Sequence, residues 1–252
     1  MLNYYMKESD NMLFRKAVLL VHGFAGGNYD YGELGNILQY HYNLDVYTFT
    51  LPGHDKTIIS KVTKDDWIRS AENITENLIK HNYKTIYVVG HSMGGVIAAH
   101  LASKYKEIKK VVLAAPAFRY LKFKNDKFDL IETLKDTKEI FGNVPINMII
   151  SRVFKVPIKT AIEFMKLVEE NKNDVKNITC PILIIHGTED HIVPLESATY
   201  VHRSVKSSVN ILMHVKGADH NCYRGARCNE IIKLTEDFLI KNHLPQKKEE
   251  HI

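Results

Sequence analysis

Ser92 stands in the run Gly90-His91-Ser92-Met93-Gly94, followed by Gly95. Small residues two before and two after a central serine mark a backbone bent too tightly for side chains, as in the G-x-S-x-G nucleophile elbow. The serine is held in a strained conformation and its hydroxyl is displayed at the end of a strand. A serine hydroxyl is a weak nucleophile, so it needs a base, and the base needs an acid to orient it.

The chain offers 13 histidines for the role of base. His22, His54, His91 and His186 adjoin glycines at strand ends, where hydrogen bonding to loop backbone explains them as well as chemistry does. His100 falls inside the helix after Ser92, while His41, His81 and His243 fall at helix ends. His220, in "GADHN", lies in a short loop between the last apolar run and the last helical pattern. That loop reaches the sheet edge where Ser92 must lie. The acid is read as Asp190 in "IIHGTEDHIVP", with Glu189 as its local rival and Asp219 as a loop-shaping residue. Two backbone amides complete the set as oxyanion donors. Met93 opens the helix after the serine, and Phe24 follows His22-Gly23 in "LLVHGFAGG".

The elements that must position these residues follow from hydrophobic patterning. Apolar runs over Ala17–Gly23, Leu44–His54, Thr85–Ser92, Lys110–Ala117, Pro181–Gly187 and Val209–His220 read as strands buried on both faces. Helical periods lie between them, which is the mark of a mostly parallel sheet with crossover helices. Thr63 with Asp66 begins one helix as a capping box, and Trp67, Ala71, Ile74 and Leu78 share its face. Further helices are read over "MGGVIAAHLASKY", Leu195–Val205 and Ile231–His243. Residues 118–178 break the alternation: they are rich in apolar residues and helical in pattern, with no clear strand, and read as an inserted helical cap. The tail "LPQKKEEHI" reads as a charged, frayed end.

Composition removes other classes. The 252 residues include 45% hydrophobic and 25% charged ones with a net charge of +5, and the lysines are spread along the chain instead of forming a nucleic-acid-binding block. The basic and aromatic stretch "FRYLKFKNDKF" reads as cap with a cationic rim, so no nucleic-acid partner is expected. Three cysteines, Cys180, Cys222 and Cys228, form no zinc signature and are expected as free thiols in a reducing compartment. The N-terminus lacks a positive start followed by an apolar run of about 7–15 residues. No stretch approaches the roughly 20 apolar residues of a membrane span. A cytoplasmic location without an integral membrane segment is expected.

Taken together, "HGFAGG", "LPGHD", "GHSMGG", "HGTEDHIVP" and "GADH" resemble the α/β-hydrolase superfamily, within it the bacterial carboxylesterases and monoacylglycerol-lipase-like serine hydrolases. The resemblance implies an α/β-hydrolase core over residues 1–117 and 179–252 with the cap over 118–178. It implies a Ser92–His220–Asp190 triad, an oxyanion hole from Phe24 and Met93, and no metal or organic cofactor. The implied substrate is a small-molecule ester with an apolar acyl group of small to medium length, monoacylglycerols among the candidates. Thioesters, carbon–carbon bonds and acyl transfer are alternatives on the same triad, and a ligand-binding protein on a hydrolase scaffold is the non-enzymatic one. Oligomeric state is not legible.

Overall fold

The computed structural model describes residues 2–4, 15–55, 62–119, 123–124, 127–128, 158–241 and 247–251. Its centre is an eight-stranded sheet. The strands are β1 (Leu2–Tyr4), β2 (Lys16–Val21), β3 (Asp45–Phe49), β4 (Thr85–His91), β5 (Ile108–Ala114), β8 (Ile182–Gly187), β9 (Asn210–Val215) and β10 (Lys247–His251). Their order is β1-β3-β2-β4-β5-β8-β9-β10, and all pairings are parallel except β1 with β3.

The near-continuous apolar runs are explained by burial on both faces. In β2, Ala17, Leu19 and Val21 enter one core while Val18 and Leu20 enter the other. One layer holds α2 (Lys64–Lys80), α3 (Met93–Lys104), α4 (Ile158–Asn171) and α5 (Leu195–Ser204), and the other holds α1 (Leu34–Tyr42) and α6 (Cys228–Ile240). The box at Thr63 forms as read: Asp66 N–H donates to Thr63 Oγ1 and Thr63 N–H to Asp66 Oδ2. Trp67, Ala71 and Leu78 are then buried against the sheet.

After β2 the chain crosses to β3 on one side, and after β3 it returns to β4 on the other. The loops at the carboxyl ends of β2 and β4 therefore diverge around a crevice, the usual ligand position in an open α/β sheet. Phe24 and Ser92 lie in those two loops.

Three readings need correction. The tail is not frayed over Lys247–His251, which pairs in parallel with β9; a strand held by backbone bonds at an open edge needs no apolar alternation to announce it. The segment 118–178 includes a short hairpin, β6 (Phe123–Lys124) with β7 (Lys127–Phe128), too brief to register as an apolar run. Helix α1 went unread, and α6 starts earlier than its periodicity suggested. Much of the expected cap (120–122, 125–126 and 129–157) lies outside the described residues. Of the rest, α4 buries Phe164, Leu167 and Val168 in the same core as α2 and α3.

Candidate active site

Strand β4 delivers Ser92 at φ 54° and ψ −117°, a conformation most side chains avoid. The turn is fixed by its neighbours. Ser92 N–H donates to Ala114 O at 2.9 Å, and its carbonyl accepts from Gly95 N–H at 2.9 Å and Ala117 N–H at 3.2 Å. The flanking glycines are required by close approach: a Cβ on Gly94 would stand 1.9 Å from Val21 O, and one on Gly90 2.3 Å from Gly94 O. Ser92 is buried, only 8% exposed, where an open hydroxyl was expected. The loop after β2 packs against it so closely that a Cβ on Gly23 would lie 3.2 Å from Ser92 Cβ.

The residues read as acid and base, Asp190 and His220, lie in contact. His220 Nδ1 lies 2.8 Å from Asp190 Oδ2, so the Nδ1–H tautomer donates to the carboxylate and leaves Nε2 with its lone pair. Asp190 Oδ1 accepts from the N–H groups of Ile192 (2.8 Å) and Val193 (2.9 Å). Burial alone would raise the Asp190 carboxyl, but the His220 hydrogen bond and the nearby His220 and His186 rings hold it below its ordinary range. Glu189 is exposed, and Asp219 accepts from Asn221 N–H at 2.8 Å, a loop-shaping bond. Among the described residues no hydrogen bond joins Ser92 Oγ to His220 Nε2. Such bonds are often long in ligand-free enzymes. The link between the two loops runs instead through His91, whose Nε2 donates to the His220 carbonyl at 2.8 Å.

Phe24 lies in the loop after β2 and Met93 at the start of α3. Met93 is the first residue of α3, whose opening amides have no partner within the helix and carry a partial positive charge. The loop bearing Phe24 is tightened by Gly26 N–H donating to Gly23 O at 3.1 Å. A buried carboxylate from Asp30 accepts from Gly23 N–H at 3.1 Å and stands 3.6 Å from His91 Nδ1. Burial would raise the Asp30 carboxyl too, yet the His91 ring and the Gly23 amide lower it. Asp30 thus holds the loop after β2 through the Gly23 amide and lies beside His91, the residue before Ser92. Sequence reasoning passed over it because no motif links it to the glycine it holds.

The other strand-end histidines are structural. His22 Nε2 accepts from Leu51 N–H at 2.9 Å while Nδ1 donates to Gly23 O, and His186 Nε2 donates to Val193 O at 3.0 Å. Burial lowers both rings, favouring the neutral form. The Phe24 ring stacks on Phe164 at 5.2 Å and meets Trp67 and His54 edge-on, each at 6.0 Å. This aromatic cluster joins segments far apart in the chain, which no local pattern reveals. The cysteines are free thiols.

Comparison with known proteins identifies the fold family. A family model described as alpha/beta hydrolase fold matches residues 16–145, and one described as serine aminopeptidase, S33, matches residues 147–224. The chain is 26% identical to a thermostable monoacylglycerol lipase of Bacillus sp. (strain H-257), over 89% of this chain and 90% of that protein. It is 26% identical to a carboxylesterase of Bacillus subtilis (strain 168), over 81% of this chain and 84% of the relative. Among solved structures, a monoacylglycerol lipase of Paleococcus ferrophilus superposes with a TM-score of 0.67 at 20% identity, covering 88% of this chain and 93% of that one. No helix among the described residues is long and apolar enough to cross a membrane.

Proposed function

The chain belongs to the α/β-hydrolase fold family, and from that premise we propose that it hydrolyses carboxylic esters through Ser92, His220 and Asp190. The main support is the 2.8 Å contact of His220 Nδ1 with Asp190, on a loop whose carbonyl is bonded to the residue preceding Ser92. The named activities of its relatives, a monoacylglycerol lipase and a carboxylesterase, support an ester as the substrate.

In this mechanism His220 Nε2 takes the Ser92 proton as Oγ attacks the ester carbonyl carbon. The amides of Phe24 and Met93 receive the oxyanion, a form of stabilisation that is usually the largest single catalytic contribution. The ester C–O bond breaks as the His220 imidazolium returns its proton to the leaving alkoxide, releasing the alcohol and an acyl-enzyme. Water, deprotonated by the same ring, attacks the acyl carbon, and Ser92 leaves reprotonated with release of the acid. Asp190 fixes the tautomer and stabilises the imidazolium without taking the proton.

Residues 118–178 act as a cap over the acyl chain in this account, supported by Phe164 of α4 against Phe24. An apolar acyl group of small to medium length suits that cluster, since each buried CH₂ contributes about 0.8 kcal/mol. The test is steady-state release of p-nitrophenol from esters of increasing acyl length by wild type and Ser92→Ala. The expected result is a chain-length optimum in wild type and no turnover in the variant. A folded wild type inert towards the whole series, or a Ser92→Ala variant that retains its rate, would overturn the proposal.

A further inference from the structure

The edge strand β10 lies in parallel register with β9 so that His251 is the Cα partner of His214. Side chains alternate along a strand, so Glu249 shares a face with His251, while Lys248 and Glu250 take the other. The result is three ligating groups in one place. His214 Nε2 and Glu249 Oε1 are 3.1 Å apart, and the His214 and His251 rings stack at 4.4 Å. The potential ligand atoms of all three residues lie within 4.8 Å of one another.

We propose that His214, Glu249 and His251 form a binding site for a divalent transition metal of the zinc type, separate from the hydrolytic site. Two imidazole nitrogens and one carboxylate oxygen make a common zinc ligand set, with water in the fourth position. Bonds of about 2.0–2.1 Å in tetrahedral geometry separate the ligand atoms by roughly 3.3 Å. The His214–Glu249 pair already stands near that spacing. His214 is buried in a strand paired on both sides and supplies a fixed first ligand. Glu249 and His251 are exposed, so their side chains are free to close the remaining distance.

The neighbours are consistent with a separate site. His186, the Cα partner of His214 on β8, spends its Nε2 on Val193 O. His202 of α5, on the same face of the sheet, spends its Nδ1 on Asn210 Oδ1. His186 reaches the proposed ester site only as a neighbour 3.5 Å from Asp190, and β10 takes no part in the proposed cleavage.

The test is calorimetric titration of the untagged, chelator-stripped full chain with zinc chloride, with thermal unfolding followed in parallel. Wild type is expected to take up one zinc ion per chain and to unfold at a higher temperature with zinc than without. Glu249→Gln and His251→Asn, both at exposed positions, are each expected to weaken binding by at least about tenfold, with unfolding in the absence of metal unchanged. Absence of saturable binding in wild type would overturn the site. So would wild-type affinity in either variant, since the zinc would then reside elsewhere or use fewer ligands.

Discussion

The elbow at Ser92 and the His220–Asp190 pair, members of one proposed site, are positioned by opposite means. Ser92 is placed by exclusion: Gly90 and Gly94 sit where any side chain would strike backbone, and the serine is forced into a positive-φ conformation. Asp190 and His220 are placed by attraction, through hydrogen bonds donated by two backbone amides to one carboxylate oxygen and by the imidazole to the other. A site built by packing fails in the fold when it is altered. One built by hydrogen bonds fails in the chemistry while the fold survives.

The largest expected effect on the bonded side is that of Asp190→Asn. The amide keeps an acceptor for Ile192 and Val193 but can present a donor to His220 Nδ1, which then favours the wrong tautomer. We expect kcat to fall by roughly 10⁴-fold with far-UV circular dichroism unchanged; loss of fold instead would break the contrast. On the packed side, Gly94→Ala drives a methyl into Val21 O. The expected cost is about 3 kcal/mol or more in urea unfolding, and a fully stable but inactive variant would contradict the packing argument.

The smallest effect concerns acid. His54 borders the Phe24 cluster, and burial, with the neighbouring His22 ring, lowers it from 6.5 to about 4. As pH falls through that window the unfolded chain takes up a proton that the folded chain still refuses, so stability declines. At pH 5 the loss relative to pH 7.5 is on the order of 2 kcal/mol, and His22, lowered by burial, adds in the same direction. Asp190, lowered by bonding, contributes stability above its unfolded value of about 3.9 and loses it as pH falls further. Denaturant unfolding from pH 7.5 to 4 should show the first decline in wild type and a shallower one in His54→Gln. Identical curves would remove burial as the cause.

The same contrast explains what was legible in the sequence. The elbow is local: strand, glycines and helix stand within one short run, and the close approaches that demand Gly90 and Gly94 leave a visible spacing. The His220–Asp190 contact was readable because each residue follows a buried strand in a short loop at the same edge. Asp30 and the cluster of Phe24, His54, Trp67 and Phe164 carry no such mark, because their partners are set by how loops fold back over the sheet. Strand β10 was missed for a related reason: Lys-Lys-Glu-Glu-His has no apolar face, and only the open edge of β9 makes it a strand.

The central claim is that Ser92 becomes covalently acylated, and its most direct measurement is peptide mapping by mass spectrometry after reaction with a fluorophosphonate, which captures an activated serine as a stable adduct. The account predicts one adduct per chain, on the peptide containing Ser92, with esterase activity lost in proportion and no adduct in Ser92→Ala. An adduct on another residue, or ester turnover that persists after Ser92 is fully modified, would contradict it.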